Sequence, residues 1–204
     1  MIETARLALH PPHPDDLAFI QAEINTAGMM AYLGGTVRSA AETEQGLRDD
    51  VAAFASGEWL RWTVRRRSDG QRIGRVGLFT VRSASAPEAL RGQREIGWMP
   101  AEAAQGQGYA SEAARAALAY GFSELDLAQI YSQTNDSNGP STRMMQRLGF
   151  ARRSDLDYVD PDYPAADNPT TVYWPGLRSH GAGKTRKTAA SRPGPCRQMY
   201  HRGG

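Results

Sequence analysis

A glycine-containing loop that joins a strand directly to a helix, within residues 93–122, most constrains this chain. Residues 94–99 carry the pattern of a strand. Residues 110–125 place their apolar side chains on one continuous helical face, which predicts a helix. Gly106 and Gly108 lie between these elements, and glycine allows a backbone to approach a ligand without interference from a Cβ atom. The chain must therefore place a helix N-terminus beside the end of a strand.

That helix N-terminus has the properties of an anion site. The first N–H groups of a helix have no partner within the helix, and the helix dipole is positive at this end. No Lys or Arg occurs in residues 101–114, so binding would depend on the backbone. A phosphate or pyrophosphate is the expected ligand. The alternative is that Gly106 and Gly108 only make a tight turn.

The remaining pattern predicts alternating strands and helices around this segment. Six further strands are expected at residues 6–10, 59–67, 72–81, 129–134, 152–159 and 170–174. Helices are expected at residues 14–27, from the capping-box pattern Ser39-Ala-Ala-Glu42 to about residue 55, and at residues 140–148. The order predicts an antiparallel meander followed by a strand–helix–strand unit with parallel neighbours.

Composition narrows the class of protein. The 204 residues are 40% hydrophobic and 23% charged, which suits one globular core. The sequence contains no apolar run of the roughly 20 residues that span a bilayer, and it does not begin with a basic-then-apolar signal pattern. The single cysteine, Cys196, and four histidines form no metal-ligand cluster. We therefore expect a cytoplasmic, metal-free protein with no membrane partner.

The charge is divided unevenly along the chain. Residues 178–204 carry seven basic residues and no acidic residue, so the net charge of +2 leaves about −5 on residues 1–177. This tail has no hydrophobic periodicity, which predicts a disordered extension after a single domain at residues 1–177. The tail has no interleaved aromatic platform, so its charge does not favour a nucleic-acid partner.

Two common phosphate-binding motifs do not fit the chain. A P-loop would require Gly183-Lys184-Thr185 to follow a glycine at the position of Arg178. A dinucleotide fingerprint starting at Gly106 would have Ser111 as its third glycine, after a hairpin meander instead of repeated strand–helix–strand units. A nucleotide-binding oxidoreductase is therefore a distant alternative.

A third motif fits. Gln105-x-x-Gly108-x-Ala110 resembles the [RQ]-x-x-G-x-[GA] coenzyme A loop of the GNAT acetyltransferases, and residues 138–150 resemble that family's N-x-x-S-x-R-x-x-x-x-L-G-F segment. Residues 4–9 and Tyr32-Leu33-Gly34-Gly35 are similar to the RimJ/RimL-like subgroup, which acetylates ribosomal-protein N-termini. The resemblance covers roughly residues 3–175.

The resemblance implies a single α/β (α+β) GNAT-like domain. Its mixed, mostly antiparallel sheet would have about seven strands, with helices on both faces. Acetyl-CoA would lie where two adjacent parallel strands, residues 94–99 and 129–134, splay apart. The cofactor-binding positions implied are Trp98, Met99, Gln105, Gly106, Gln107, Gly108, Tyr109, Ala110, Asn138 and Ser141.

The resemblance also implies transfer of an acetyl group to a primary amine by direct attack in a ternary complex. Many members use a Tyr as the acid at the position of Met145, so Ser141 becomes the candidate acid; the alternative is that Ser141 caps a helix. Glu95 is the candidate base, or else an outward-facing strand residue. Met29 and Tyr32 would contact the acceptor, or else belong to the core.

The acceptor implied is a peptide N-terminus or a small-molecule amine, and the protein would be a monomer or homodimer. The alternative function is a coenzyme A-binding module without catalysis, because the usual Tyr is replaced by Met145.

Overall fold

The computed structural model describes residues 1–175. Five strands form an antiparallel sheet in sequence order. They are β1 (Ile2–Glu3), β2 (Leu7–His10), β3 (Leu60–Arg66), β4 (Arg72–Thr80) and β5 (Arg94–Pro100). The strands β3, β4 and β5 are the longest, and they position the site described below.

A second antiparallel sheet contains three strands in the order β6-β8-β7. These are β6 (Ser132–Thr134), β7 (Phe150–Arg152) and β8 (Thr171–Pro175). The two sheets meet at one parallel bridge between Glu95 and Tyr131.

The helices surround the first sheet. They are α1 (Leu17–Phe19), α2 (Ala27–Met30), α3 (Ala40–Ser56), α4 (Tyr109–Ser123) and α5 (Gly139–Arg147). The start of α3 shows the predicted capping box, in which the Ser39 hydroxyl accepts from the Glu42 amide and the Glu42 carboxylate accepts from the Ser39 amide. Among residues 1–175, no helix combines the length and the apolar character that crossing a bilayer requires.

One face of the first sheet builds the hydrophobic core against α4. Alternate residues of a strand point to opposite faces, so the even-numbered residues in the middle of β3, β4 and β5 share this side. They include Trp62, Val76, Leu78 and Ile96, each about 1% exposed. The small side chains of α4, such as Ala117, allow the helix to lie close to the sheet.

The other face of the same strands is polar and is also largely covered. The alternation in residues 59–67 predicted a half-buried strand, yet Thr63 and Arg75 on this second face are 0% and 5% exposed. The helix α3 covers part of it, because Asp50 of α3 forms ion pairs with both Arg61 and Arg75.

The fold class is confirmed, with local corrections. Eight strands in two sheets replace the single sheet of about seven. The strand expected at residues 152–159 is wrong, because the strand ends at Arg152 and a turn of 3-10 helix follows at Ser154–Leu156. Beyond that turn, one isolated bridge pairs Tyr158 with Thr170. The helix expected at residues 14–27 is broken: α1 widens into a π-helical turn at Ile20–Ile24, and α2 restarts at Ala27. The predicted tail at residues 178–204, with Cys196, lies outside the described residues.

Candidate active site

The strands β5 and β6 separate just after they meet. The Tyr131 amide donates to the Arg94 carbonyl and the Ile96 amide donates to the Tyr131 carbonyl, both at 2.8 Å. The Ser132 hydroxyl then donates to the Ile96 carbonyl at 3.0 Å, and within residues 1–175 no later pair of residues bridges the two strands. The parallel strands therefore open into a cleft, as the family resemblance implied for residues 94–99 and 129–134.

The strand register decides which backbone groups face the opening. Ile96 directs its N–H and C=O toward β6, so Trp98, two residues later, directs its own N–H and C=O into the cleft. Met99 has the opposite parity, and its main chain faces its partner Arg75 in β4. Trp98 can thus pair with an extended ligand through its backbone, whereas Met99 presents its side chain.

The loop after β5 exposes backbone donors at the start of α4. Gly106 and Gly108 adopt left-handed conformations, with φ of 74° and 79°. Gly108 is the N-cap of α4, and no side chain of residues 1–175 caps this end. The first intrahelical bond at this end is donated by the Glu112 amide, so the preceding amides are free to bind an anion.

The side chains of this loop hold it in place. The amide nitrogen of Gln107 donates to the Ala103 carbonyl at 2.9 Å, and the Gln105 amide nitrogen lies 3.9 Å from the Met29 sulfur. The Tyr109 ring lies under the Arg6 guanidinium, 4.6 Å from its centre. Each of these side chains supports the loop, which leaves the backbone for the ligand.

Arg6 is a residue of this region that local sequence reasoning missed. Its Nη1 donates to the Gln107 carbonyl at 3.1 Å, and its Nε pairs with Glu112 at 2.7 Å. The Glu112 carboxylate also accepts from Thr4 at 2.6 Å. Residues 101–114 contain no Lys or Arg. The Arg6 guanidinium reaches the loop because the N-terminal strands pack against α4. The Thr4-Ala-Arg6 segment of the subgroup resemblance was the available signal.

The cap at the N-terminus of α5 is Asn138, and not Ser141. The Asn138 side chain accepts from the Ser141 amide at 3.2 Å, so Asn138 is the cap. The alternative role of Ser141 as the capping residue is therefore wrong. Both Ser141 and Met145 line the cleft, but Ser141 is half-buried, whereas Met145 is 1% exposed and also packs in the core.

Glu95 lies on the cleft side of β5 at the point where the strands separate. One of its carboxylate oxygens accepts from the Gln133 side chain at 2.6 Å, and Gln133 in turn accepts from the Tyr158 hydroxyl at 2.8 Å. Burial raises the pKa of the Glu95 carboxyl, and the bond from Gln133 opposes that shift. Glu95 is half-buried and lines the cleft, so the outward-facing alternative for this residue is wrong.

The wider end of the cleft is enclosed by two loops. The cleft has a volume of about 1220 Å³, and both Met29 and Tyr32 line it. Across from them lie Tyr158 and Tyr163, and burial raises the pKa of Tyr158 to about 12. Tyr32 is 39% exposed, so it belongs to the rim of the cleft and not to the core.

Comparison with known proteins identifies this architecture. The family model described as "Acetyltransferase (GNAT) domain" matches residues 6–151. The chain belongs to the GNAT acetyltransferase family. It is an acetyl-CoA-dependent acetyltransferase. The cleft fits acetyl-CoA, because the two left-handed glycines and the uncapped start of α4 provide the backbone donors that a pyrophosphate requires.

Relatives in Bacillus subtilis (strain 168) match parts of the chain. The N-acetyltransferase YnaD is 47% identical over 58 residues, which cover 28% of this chain and 34% of YnaD. The match thus spans about one third of that relative's length. YkkB is 32% identical over 118 residues, covering 50% of this chain and 68% of YkkB.

Solved structures share the fold over most of their length. A GNAT-family acetyltransferase from Bordetella pertussis has a TM-score of 0.70 at 20% identity, covering 86% of this chain and 98% of that one. Spermidine N-acetyltransferase from Vibrio cholerae, solved with CoA and spermine, has a TM-score of 0.65 at 20% identity, with coverages of 84% and 95%. RimL, a ribosomal L7/L12 α-N-protein acetyltransferase solved with CoA, has a TM-score of 0.66 at 15% identity, with coverages of 84% and 93%.

Proposed function

We propose that this acetyltransferase acetylates a primary amine by direct attack within a ternary complex, with Glu95 as the base. The observation that carries the proposal is the position of Glu95: a half-buried carboxyl of raised pKa that lines the cleft at the point where β5 and β6 separate. Its bond from Gln133 fixes the carboxylate toward the cleft. A general base is most effective when its pKa lies near the working pH, and burial moves this carboxyl in that direction.

In the proposed reaction the amine loses one proton and the thiolate gains one, and exchange with solvent afterwards restores the Glu95 carboxylate and the Ser141 hydroxyl. The neutral amine nitrogen forms a bond to the thioester carbonyl carbon, and the carbon–sulfur bond then breaks to release coenzyme A as a thiolate. Glu95 takes the proton that the amine loses, directly or through one water. The thiolate takes a proton from the Ser141 hydroxyl, and solvent returns a proton to Ser141. The N–H of Trp98, which points into the cleft, would stabilise the oxyanion.

The donor would be held mainly by main-chain groups. We assign the pyrophosphate to the amides of the loop before and at the start of α4, and the pantetheine arm to the main chain of Trp98, with Met99 in side-chain contact. Asn138 would fix the α5 terminus so that the Ser141 hydroxyl faces the thioester. The loop residues are Gln105, Gly106, Gln107, Gly108, Tyr109 and Ala110.

The acceptor would enter through the rim at Met29 and Tyr32. We place the protein in the RimJ/RimL-like subgroup, which the motifs at residues 4–9 and 32–35 and the fold of RimL support. The neighbouring structures are named for acceptors as different as spermidine and a ribosomal protein. Both a peptide N-terminus and a small-molecule amine are therefore compatible with the proposed reaction.

We further propose that residues 1–177 suffice for catalysis in the cytoplasm, as a monomer or homodimer. A chain ending at residue 177 should retain the kcat/KM of the full chain. Loss of activity on truncation would show that the basic tail belongs to the working enzyme.

The decisive test is thiol release from acetyl-CoA with a panel of primary amines, for the wild type and Glu95→Gln. Amine-dependent release that falls strongly in the variant supports the proposal. Binding of acetyl-CoA without release for any amine would instead support a non-catalytic coenzyme A-binding module. Glu44→Gln, at an exposed position of α3, is the matched control.

A further inference from the structure

The floor of the acceptor end of the cleft is an aromatic ring laid on two glycines. Gly77 of β4 and Gly97 of β5 are directly paired on the polar face of the sheet. A Cβ on Gly77 would lie 2.4 Å from the Phe79 ring, and one on Gly97 would lie 3.4 Å from it. The ring therefore occupies the space that two side chains would otherwise fill. Above it lies the Arg61 guanidinium, 4.6 Å from the ring centre.

Two arginines in this wall share one carboxylate. Asp50 of α3 accepts from Arg61 at 3.1 Å and from Arg75 at 2.7 Å through the same oxygen. Its other oxygen accepts from the Trp59 indole at 3.2 Å. The Asp50 and Arg75 side chains are each only 4% exposed. These three charged groups line the cleft, and together they have a net charge of +1.

Within residues 1–175, Asp50 is the one carboxylate that forms ion pairs with Arg61 and Arg75. The Nε of Arg75 is buried without a hydrogen-bond partner in this part of the chain. The nearby Arg38, which also lines the cleft, is a third cation. Burial lowers the pKa of Arg61 to about 10; Asp50 opposes that shift and Arg75 adds to it. Two guanidinium groups share a single carboxylate, so the Arg61 side chain, which is 27% exposed, favours an anionic ligand.

The cationic wall lies within reach of the proposed base. Glu95 is paired with Phe79, and Arg61 is paired with Gly77 on the other side of β4. The Glu95 and Arg61 side chains therefore flank the same ring from strands separated by about 10 Å, two strand spacings. One acceptor molecule can reach both groups.

We infer that the acceptor is an amino carboxylate: its amine lies at Glu95, and its carboxylate binds the Arg61 guanidinium with Arg75 behind it. The inference rests on the proposed function, whose acceptor it specifies. A planar guanidinium donates two parallel hydrogen bonds to a carboxylate, and its aromatic support fixes the plane. A polycationic acceptor would place a further positive charge against this wall.

The test compares acceptors that differ only in the carboxylate. The full-length protein is assayed by thiol release with 4-aminobutyrate, 5-aminovalerate and 6-aminohexanoate, each beside the alkylamine of equal length. These pairs keep the amine chemistry nearly constant. We expect the best amino carboxylate to exceed its matched amine at least tenfold in kcat/KM. Equal kcat/KM values within every pair, or a preference for alkylamines or spermidine, would overturn the inference while leaving the proposed function intact.

Variants of Arg61 test whether this residue causes the preference for amino carboxylates. Arg61→Gln should reduce the ratio of the two kcat/KM values to near one, chiefly through a higher KM for the amino carboxylate, and Arg61→Lys should retain part of it. Arg48→Gln, an exposed arginine of α3, is the control and should keep the wild-type ratio. An unchanged ratio in Arg61→Gln would overturn the assignment.

Binding measurements test the acceptor inference independently of the proposed acetyl transfer. If no amine releases thiol, the proposed function fails, and titration calorimetry with 5-aminovalerate and pentylamine in the presence of coenzyme A then decides the inference. Tighter binding of 5-aminovalerate that Arg61→Gln removes supports it. Equal or undetectable binding of the two compounds overturns it.

Discussion

The two halves of the cleft are built by different means. The half next to α4 presents main-chain N–H groups, which left-handed glycines expose at an uncapped helix start. The half beneath α3 presents charged side chains, namely Glu95 on one side of Phe79 and the Asp50–Arg61–Arg75 cluster on the other. The first half depends on backbone conformation and the second on buried charge. Substitutions should therefore separate donor binding from acceptor chemistry.

The largest effect is expected from Gly108→Val, which attacks the backbone-built half. Gly108 has a φ of 79°, where a β-branched residue is strained, and the loop must change shape to accept it. We expect acetyl-CoA binding to weaken by at least about 100-fold and turnover to be lost. A thermal shift titration with acetyl-CoA measures this.

Gly92→Val is the matched control, since Gly92 has a similar φ of 77° in a loop outside the cleft. It should cost a similar strain of about 1–3 kcal/mol but leave acetyl-CoA binding unchanged. Equal loss of binding in both variants would show that strain alone, and not the loop, explains the result.

Glu95→Gln should affect the other half while sparing the first. Removal of a general base lowers kcat/KM by about 10³-fold, with the affinity for acetyl-CoA retained. Burial raises the pKa of Glu95 above its ordinary value of 4.5, and the base form exists above that pKa. Activity should therefore rise with pH through an acidic limb shifted upward from 4.5, and this limb should disappear in the variant. A pH profile that keeps its acidic limb would remove Glu95 from the mechanism.

Asp50→Asn tests whether buried charge also holds the acceptor half together. The Asp50 carboxylate serves two arginines and a Trp59 indole, so its loss leaves two cations close together. We expect a loss of about 3 kcal/mol in the free energy of unfolding, or roughly 10 °C in Tm. Asp49→Asn, the exposed neighbour in the same helix, should change Tm by about 1 °C or less. A similar small change in Asp50→Asn would mean that the ion pairs contribute little.

The smallest of these effects is expected for Ser141→Ala, at the boundary of the two halves. The Ser141 hydroxyl is not needed for the helix cap, which Asn138 provides, so the fold and acetyl-CoA binding should be kept. Loss of a general acid should lower kcat by about 10²-fold. Ser123→Ala, at the exposed end of α4, is the control. Undiminished kcat in Ser141→Ala would assign the proton to another donor.

Local patterns predicted the cofactor half well. The strand at residues 94–99, the glycine loop and the following helix are confirmed, and so is the helix expected at residues 140–148, observed at Gly139–Arg147. Each of these features is determined by adjacent residues in the chain, which set left-handed conformations, helix starts and helix caps. The roles of the loop residues in binding acetyl-CoA stay predictions.

Weaker local patterns failed where tertiary packing decided the conformation. The strand expected at residues 152–159 ended at Arg152, because the side chain of Asp157 accepts from the Val172 amide in place of a continued backbone ladder. Similarly, the helix expected at residues 14–27 is interrupted by the π-helical turn at Ile20–Ile24, which buries Ile20 and Ile24 against Leu47 of α3. Partners more than ten residues away control both segments.

Local patterns predicted the donor loop and the strand and helix that flank it, because short-range backbone preferences are encoded by adjacent residues. The family fold and the separation of the two parallel strands were implied by the resemblance that the motifs carry. Local sequence patterns did not predict the cluster of charged side chains in the acceptor half. In the sequence, Arg61 is one of the polar residues of an alternating strand, and Asp50 is one of several acidic residues of a helix. Only the register of β3, β4 and β5 and the packing of α3 over them bring Asp50, Arg61 and Arg75 together. An interaction between side chains from three elements depends on which faces meet, and that is a property of the folded molecule.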